Sequence, residues 1–472
     1  MFEQSRIDDN SIPKTNLIER GINIAPEHKS ALQRPSLPQT DQNLPLPDLT
    51  LISDVEPANC PATPASKDYL TIINRAARRM YDPASLGQID LVRNKFNCQI
   101  KNVGDAIKYA DEAVHGSGDH YNDVLPPKEA TAQKEAWKGE ITGIGVTLGK
   151  LPEENPTEKG PVRVESVVAG APAEKHDLRK GDIITHVDGE SLDLFTYDET
   201  VGKIRGPVDK TVTITLTRDG KPQDVTLERA PVEIANLEEK RLDGNIGYVR
   251  LYNFTQEDTV EDVKKALEKH KDADSYIIDL RNNPGGIFQN GYKLAALFLD
   301  SGTLLKTRER TDSDPSQPTY LTETYKLTDK EIVVESEDET SHDKDSYTEK
   351  REPDIIDKPF VVLVNGGTAS SSEIFTGAIK ASKEGLIMGS KTFGKGIGQS
   401  IFTNMPGGSS LQVTAFRIFT PDGHWAGDAQ KNRIGITPDM VIDNPDGATL
   451  GSADDKQLEE AKKYLQALTM KQ

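Results

Sequence analysis

The chain has 472 residues, room for about two to four domains, with 28% charged and 35% hydrophobic residues. A net charge of −19 leaves no basic face for nucleic-acid phosphates, and no apolar run reaches the ~18 residues of a membrane span. Two cysteines, Cys60 and Cys98, make neither a disulfide framework nor a zinc site, and none of the eight histidines pairs at metal-ligand spacing, so no metal or cofactor is expected.

Residues 1–66 hold nine of the 28 prolines and read as a flexible extended arm. No basic-then-apolar export signal opens it. A small helical cap is expected over 67–136. YLTIINRAARRMYDP places Leu70, Ile73, Ala77 and Met80 on one stripe, with Pro83 after the stop. NVGDAIKYADEAV carries Val103, Ile107, Ala110 and Val114 in the same way.

From Trp137 the pattern changes to short alternating strands and Gly-Asp, Asp-Gly and Gly-Pro turns. AGAPAEKHDLRKGDIITHVDGE reads as a short helix, a turn and a strand. This stretch resembles a PDZ domain, expected over 137–230. Such domains add an extended peptide to a sheet edge and hold its terminal carboxylate in a nest of backbone N–H groups. The candidate nest is Gly143-Ile144-Gly145-Val146, whose glycines permit close backbone approach.

Strand–helix–strand order from Gly244 predicts an α/β core. NIGYVRLYNF and SYIIDLR are its first strands, TVEDVKKALEKH and GYKLAALFLDSG its first helices. The core is expected as 231–310 and 359–445, split by a mobile acidic surface insertion at 311–358. Residues 331–345 of that insertion carry seven acids and one lysine. A closing helix within 446–472 places Leu458, Ala461, Leu465 and Leu468 on one stripe.

KPFVVLVNGGTASSSEIF reads as a buried strand, a Gly-Gly turn and a helix start. There a hydroxyl among Thr368, Ser370, Ser371 and Ser372 meets unpaired backbone N–H groups, as a nucleophile or as a plain helix cap. A serine nucleophile needs a base. The nearest downstream histidine, His424, lies in a loop-like stretch. Lys395, between two glycines in KTFGKGIGQ, can serve if burial lowers its pKa. In an extended chain Gln399 shares its side and could orient the amine without adding charge. Lys391 competes but has no such neighbour. GSKTFGKG nearly matches a P-loop, but Gly396 stands where Ser or Thr must bind Mg²⁺.

DLRNNPGG, GGTASSSEIFTGAI and GSKTFGKGIGQS, in that order, resemble the C-terminal processing peptidases, or tail-specific proteases. The resemblance runs from about Tyr69 to the end. It implies an α/β multidomain protein: N-terminal helical cap, PDZ domain, and crotonase-like α/β protease core with a C-terminal helix. It implies Ser370 as nucleophile, Lys395 as general base and Gln399 as third member. It also implies an oxyanion hole from the N–H of Ser371 and a glycine N–H, at Gly285 or Gly286. Ser371 stands where the family usually has alanine.

The expected function is a serine endopeptidase cutting proteins near apolar C-termini that the PDZ domain captures. Protein or peptide substrates are the expected partners, and self-association is left open. Arg205, near the end of the presumed PDZ helix, is a candidate for coupling that domain to the core. The family is mostly extracytoplasmic, whereas the sequence displays no export device, so compartment stays open. A catalytically inert PDZ scaffold is the alternative function, and an acyl-thioester enzyme of crotonase type is a third.

Overall fold

The computed structural model describes residues 63–469, apart from most of 83–98 and the short stretches 138–139, 151–158, 234–235, 312–317, 352–355, 429–431 and 446–447. The proline-rich arm up to 62, both cysteines and Pro83 lie outside the described residues. The described residues divide into two compact units: 131–236, and those from 63 to 130 taken with those from 237 onward.

The larger unit begins with helix α1 (Pro64–Arg79), three residues ahead of the expected start of the cap at 67. A capping box explains this. The Thr63 side chain accepts from the Ser66 N–H, and Ser66 Oγ accepts from the Thr63 N–H. The buried face is Tyr69, Ile72, Ile73, Ala76 and Ala77, so Leu70 falls at its margin. Helix α2 (Val103–His115) buries Ala106, Ile107, Ala110 and Val114, while Val103, at its first position, is 40% exposed. Both helices share one apolar cluster with Phe402, Leu411 and Val413. A short strand, β1 (Asp123–Leu125), follows.

The unit over 131–236 holds β2 (Glu140–Gly143), β3 (Val146–Lys150), β4 (Val162–Val167), α3 (Pro172–Lys175), β5 (Ile183–Val187), α4 (Tyr197–Ile204), β6 (Thr211–Arg218), β7 (Lys221–Glu228) and β8 (Ala230–Glu233). Its main sheet runs β3–β4–β5–β6–β7, with β3 at an edge, and β2 pairs with β8. Alternation in VTITLTR buries Val212, Ile214 and Leu216 on Ile144, Val164 and Ile184.

The larger unit resumes with β9 (Leu237–Leu242), β10 (Ile246–Leu251), α5 (Thr259–Lys269), β11 (Ser275–Asp279) and α6 (Phe288–Ala295). Then come β12 (Gly302–Arg310), β13 (Tyr320–Leu327), β14 (Glu331–Asp338), β15 (Lys344–Lys350), β16 (Phe360–Val364) and α7 (Ser371–Ser382). Last are β17 (Leu386–Gly389), β18 (Ile397–Phe402), β19 (Ser410–Phe419), β20 (Met440–Val441) and α8 (Lys456–Thr469).

One sheet runs β9–β10–β11–β16–β17–β20, parallel from β10 onward. All five residues of β11 and of β16 are buried, because helices cover both faces of a parallel sheet. Ile278 and Val362 face the cluster that includes Val263, Phe375 and Ile379. Ile277, Val361 and Leu363 face Leu458, Ala461 and Leu465 of α8. A fully buried guanidinium pins α8 in place: Arg281 donates to Asp279 and, at 2.6 Å, to Asp455 just ahead of the helix.

The second sheet runs β1–β19–β12–β13–β14–β15, with β18 also on β19. This corrects the reading of 311–358 as a mobile surface insertion. Residues 320–350 supply three antiparallel strands that extend the sheet from β12. Tyr325, Leu327, Ile332 and Val334 are buried in the main cluster, so the stretch belongs to the core.

Candidate active site

Strands β11 and β16 are parallel neighbours, and the two turns leaving their carboxyl ends meet. Ligands gather at this end of an α/β sheet. Side chains stitch the turns together. Asn365 Oδ1 accepts from the Asn282 N–H at 2.9 Å, and Asn365 Nδ2 donates back to Asn282 Oδ1. Thr368 Oγ1 donates to the Leu280 carbonyl, the Ala369 N–H to that of Asn283, and Ser372 Oγ also to Asn283. Ser371 Oγ donates to the Gly286 carbonyl at 3.0 Å. Three of the hydroxyls in TASSS are therefore structural.

Ser370, the residue ahead of α7, is the odd one. Its φ of 56° and ψ of −118° put a non-glycine residue in a sparsely populated region. A strained strand–turn–helix elbow is how a nucleophile is lifted above a sheet. Ser370 is 8% exposed.

Lys395 is 2% exposed, whereas the competing Lys391 is exposed. Burial pushes the Lys395 amine down to about 7, against weaker pull from Asp119 and Glu373. Ser370 and Lys395 line one small cleft, whose other walls include Leu304, Leu305, Ile374, Ile418 and Ile436. The chain after Lys395 enters strand β18 and no helix, which excludes a P-loop here. His424 is exposed in a turn and is not among the cleft residues.

Glu373 is a site residue that the sequence reading overlooked. Its carboxylate is 3% exposed and accepts four hydrogen bonds. Oε2 accepts from the N–H of Ser370 at 3.0 Å and of Lys395 at 2.7 Å. Oε1 accepts from the Gly394 N–H and from Thr392 Oγ1. Its position three residues into the helix signals a capping box. Nothing local signals that it also reaches the lysine loop.

Gln399 is 3% exposed on β18 and its Nε2 donates to the Tyr121 carbonyl at 2.6 Å. The Lys395 Nζ lies 4.2 Å from the centroid of the Tyr121 ring. The glycine turn is equally close to the elbow. A Cβ on Gly285 would lie 2.7 Å from Ser370 Cβ and 2.9 Å from the Ser371 nitrogen. The Gly285 N–H already donates to Asn283 Oδ1 at 2.9 Å.

In the unit over 131–236, Gly145 has φ of 79° and Ile144 is buried. The Ile144 and Gly145 carbonyls accept from the Ala173 and Val168 N–H groups, which turns this corner of the chain at the start of the edge strand β3. Helix α4 reaches that edge: Tyr197 Oη donates to the Leu148 carbonyl at 2.8 Å. Arg205 caps the carboxyl end of α4 and is exposed within its unit.

Residues 163–218 match the PDZ domain family and residues 245–442 match peptidase family S41. The chain is 30% identical over 364 residues to the carboxyl-terminal-processing protease of a Synechocystis species, covering 75% of each chain. It is 32% identical over 371 residues to a probable CtpA-like serine protease of Staphylococcus aureus, covering 77% of this chain and 66% of the relative. The chain thus spans just under two thirds of the length of that staphylococcal relative. The solved photosystem II D1 C-terminal processing protease aligns at TM-score 0.47 and 25% identity, covering 86% of this chain and 98% of that one. With a PDZ domain beside the matched core, the chain belongs to peptidase family S41, among the carboxyl-terminal-processing serine proteases.

Proposed function

We propose that the protein is a serine endopeptidase that cuts polypeptides near their C-termini, with Ser370 as nucleophile and neutral Lys395 as base. The observation that carries this reading is the shared carboxylate oxygen. Glu373 Oε2 accepts from the backbone of both residues and so fixes the elbow against the lysine loop. An amine with pKa about 7 is neutral in about half of the molecules at pH 7. That suits it to take and return one proton per half-reaction.

In the first half-reaction Ser370 Oγ attacks the scissile carbonyl carbon and its proton passes to Lys395 Nζ. The carbonyl oxygen becomes an oxyanion. The Ser371 N–H and the Gly286 N–H are the donors proposed for it, since the Gly285 N–H is already engaged by Asn283. The resulting ammonium then gives its proton to the leaving amine as the C–N bond breaks, leaving an acyl ester on Ser370. In the second half-reaction water attacks the ester carbonyl and gives a proton to Lys395, which returns it to Oγ as the ester bond breaks, restoring the Ser370 hydroxyl and the neutral amine. The apolar cleft beside the dyad suits an apolar side chain on the acyl side of the scissile bond.

The edge strand β3 and the Gly143-Ile144-Gly145-Val146 corner are proposed to take an apolar C-terminal tail by strand addition. Arg205 is retained as a proposed coupling residue. Helices α1 and α2 are read as a cap on a crotonase-like core, and the domain limits given above stand as part of this proposal, with residues 320–350 reassigned to the core.

The test is mass spectrometry of fragments from a protein of defined C-terminus, incubated with wild type and with Ser370→Ala side by side. Wild type is expected to release C-terminal fragments, and the variant to fall by at least ~10⁴-fold while keeping its fold. The same fragments at the same rate from the variant would reject the proposal. An intact substrate with both proteins, bound but uncut, would favour the inert-scaffold alternative.

A further inference from the structure

We infer that Tyr121, which lies outside the matched peptidase region, is a positioning residue that completes the base side of the site. Its carbonyl holds Gln399, and its ring covers the amine of Lys395. The inference rests on the Ser370–Lys395 reading and adds a third segment of chain to it.

The turn that presents Tyr121 is built from its own hydrogen bonds. The Tyr121 N–H donates to Asp119 Oδ1 at 2.9 Å, and the Asn122 N–H donates to the Asp119 carbonyl. Asn122 is 1% exposed, and its Oδ1 accepts from the Thr414 N–H at 2.7 Å. Strand β1 then pairs residue by residue with β19, Asp123 opposite Gln412. Gln399 lies opposite Thr414 on the adjoining strand. Tyr121 is therefore held at both sides against the strand pair that carries Gln399.

Each half of the residue has a chemical consequence. Only the –NH₂ end of the Gln399 amide can face a carbonyl. The contact with the Tyr121 carbonyl therefore fixes the amide, and its oxygen is the end left to accept from a donor on the Lys395 side. The ring lies over Nζ, where a carboxylate would have held the amine charged. An aromatic face keeps water away, which favours the neutral base. It still attracts an ammonium when one forms during reaction. Charged groups near this pair are Asp119 and Glu373 toward Lys395, and Arg433, Asp119 and Asp428 toward Tyr121.

The experiment is the pH dependence of kcat/KM for a peptide substrate, in wild type, Tyr121→Ala and Tyr121→Phe. The alanine variant lets water reach the amine. Its rising limb is expected at least about one pH unit above that of wild type, with activity at pH 7 reduced at least about fivefold and regained at higher pH. The phenylalanine variant keeps the ring and is expected to keep the limb where wild type has it. A merely structural role lowers the rate at every pH without moving the limb. An alanine variant that titrates like wild type overturns the inference. Should that variant fail to fold, Tyr121→Leu fills more of the space than alanine without a π face. A lower kcat, with the limb at or below the wild-type position, is then expected, and a wild-type kcat overturns the inference. Cleavage by Ser370→Ala or Lys395→Ala would end the Ser–Lys reading itself. Loss of activity in both, with wild-type titration in Tyr121→Ala, would remove Tyr121 alone.

Discussion

Burial pushes the pKa of Glu373 up, because a charge loses its water there. Four donors pull the other way, and their geometry needs the ionised form. Three are backbone N–H groups. The fourth, Thr392 Oγ1, already accepts from the Ile436 N–H at 2.7 Å, so its own proton is free to point at the carboxylate. Glutamine in this place presents an –NH₂ to two donors. Glu373→Gln is therefore expected to lower kcat about 100-fold while KM stays within about threefold, since an ångström of drift between elbow and lysine loop suffices. Steady-state kinetics on a peptide substrate checks this, and an unchanged kcat would remove Glu373 from the site. At this scale the sequence disclosed what is local. A lysine between glycines and a serine at a helix mouth are short motifs. The partners of Glu373, Gln399 and the Asn282–Asn365 pair are set by tertiary contact, and no spacing rule announces them. The proposal of Gly286 over Gly285 rests likewise on where Asn283 points.

Elements were legible where period and composition agreed. The apolar runs SYIID and FVVLV announce buried parallel strands, and both are buried throughout. Residues 320–350 misled because their acids were weighed by number and not by position. Along β13 the buried residues are Glu323, Tyr325 and Leu327, every second one, and in β14 Ile332 and Val334 follow the same period. Even Glu323 faces inward, where its carboxylate accepts from Tyr325 Oη at 2.9 Å. In the PDZ unit the edge of β3 is partly occupied by the Tyr197 bond to the Leu148 carbonyl. A peptide added to that edge competes with this bond. Tyr197→Phe is expected to tighten binding of a peptide with an apolar C-terminus several-fold, the worth of one neutral hydrogen bond of about 1 kcal/mol. Titration calorimetry reads it, and an unchanged or weaker Kd would mean that the bond does not stand in the peptide's way.

At the scale of the molecule, two units were visible in the sequence as a change from short alternating strands to strand–helix–strand order. The smaller compact unit spans residues 131–236. What the order of elements did not disclose is that the strand after α2 returns to the core. Through it Tyr121 is brought beside a lysine far along the chain. The central claim concerns the charge on that lysine. With its folded pKa lowered to about 7, the amine is protonated and idle below that value and neutral above it. The linkage has the same sign for stability. The folded state binds fewer protons than the unfolded chain between pH 7 and the ordinary lysine value, so this residue's cost to folding is greatest at and below pH 7 and fades as pH rises. The most direct measurement is the pH profile of kcat/KM for wild type from pH 5 to pH 10, with Lys395→Ala alongside. A single rising limb centred at about pH 7, absent in the variant together with the activity, is the predicted result. A limb near the ordinary lysine value, or an alanine variant that cleaves as wild type does, would contradict the account.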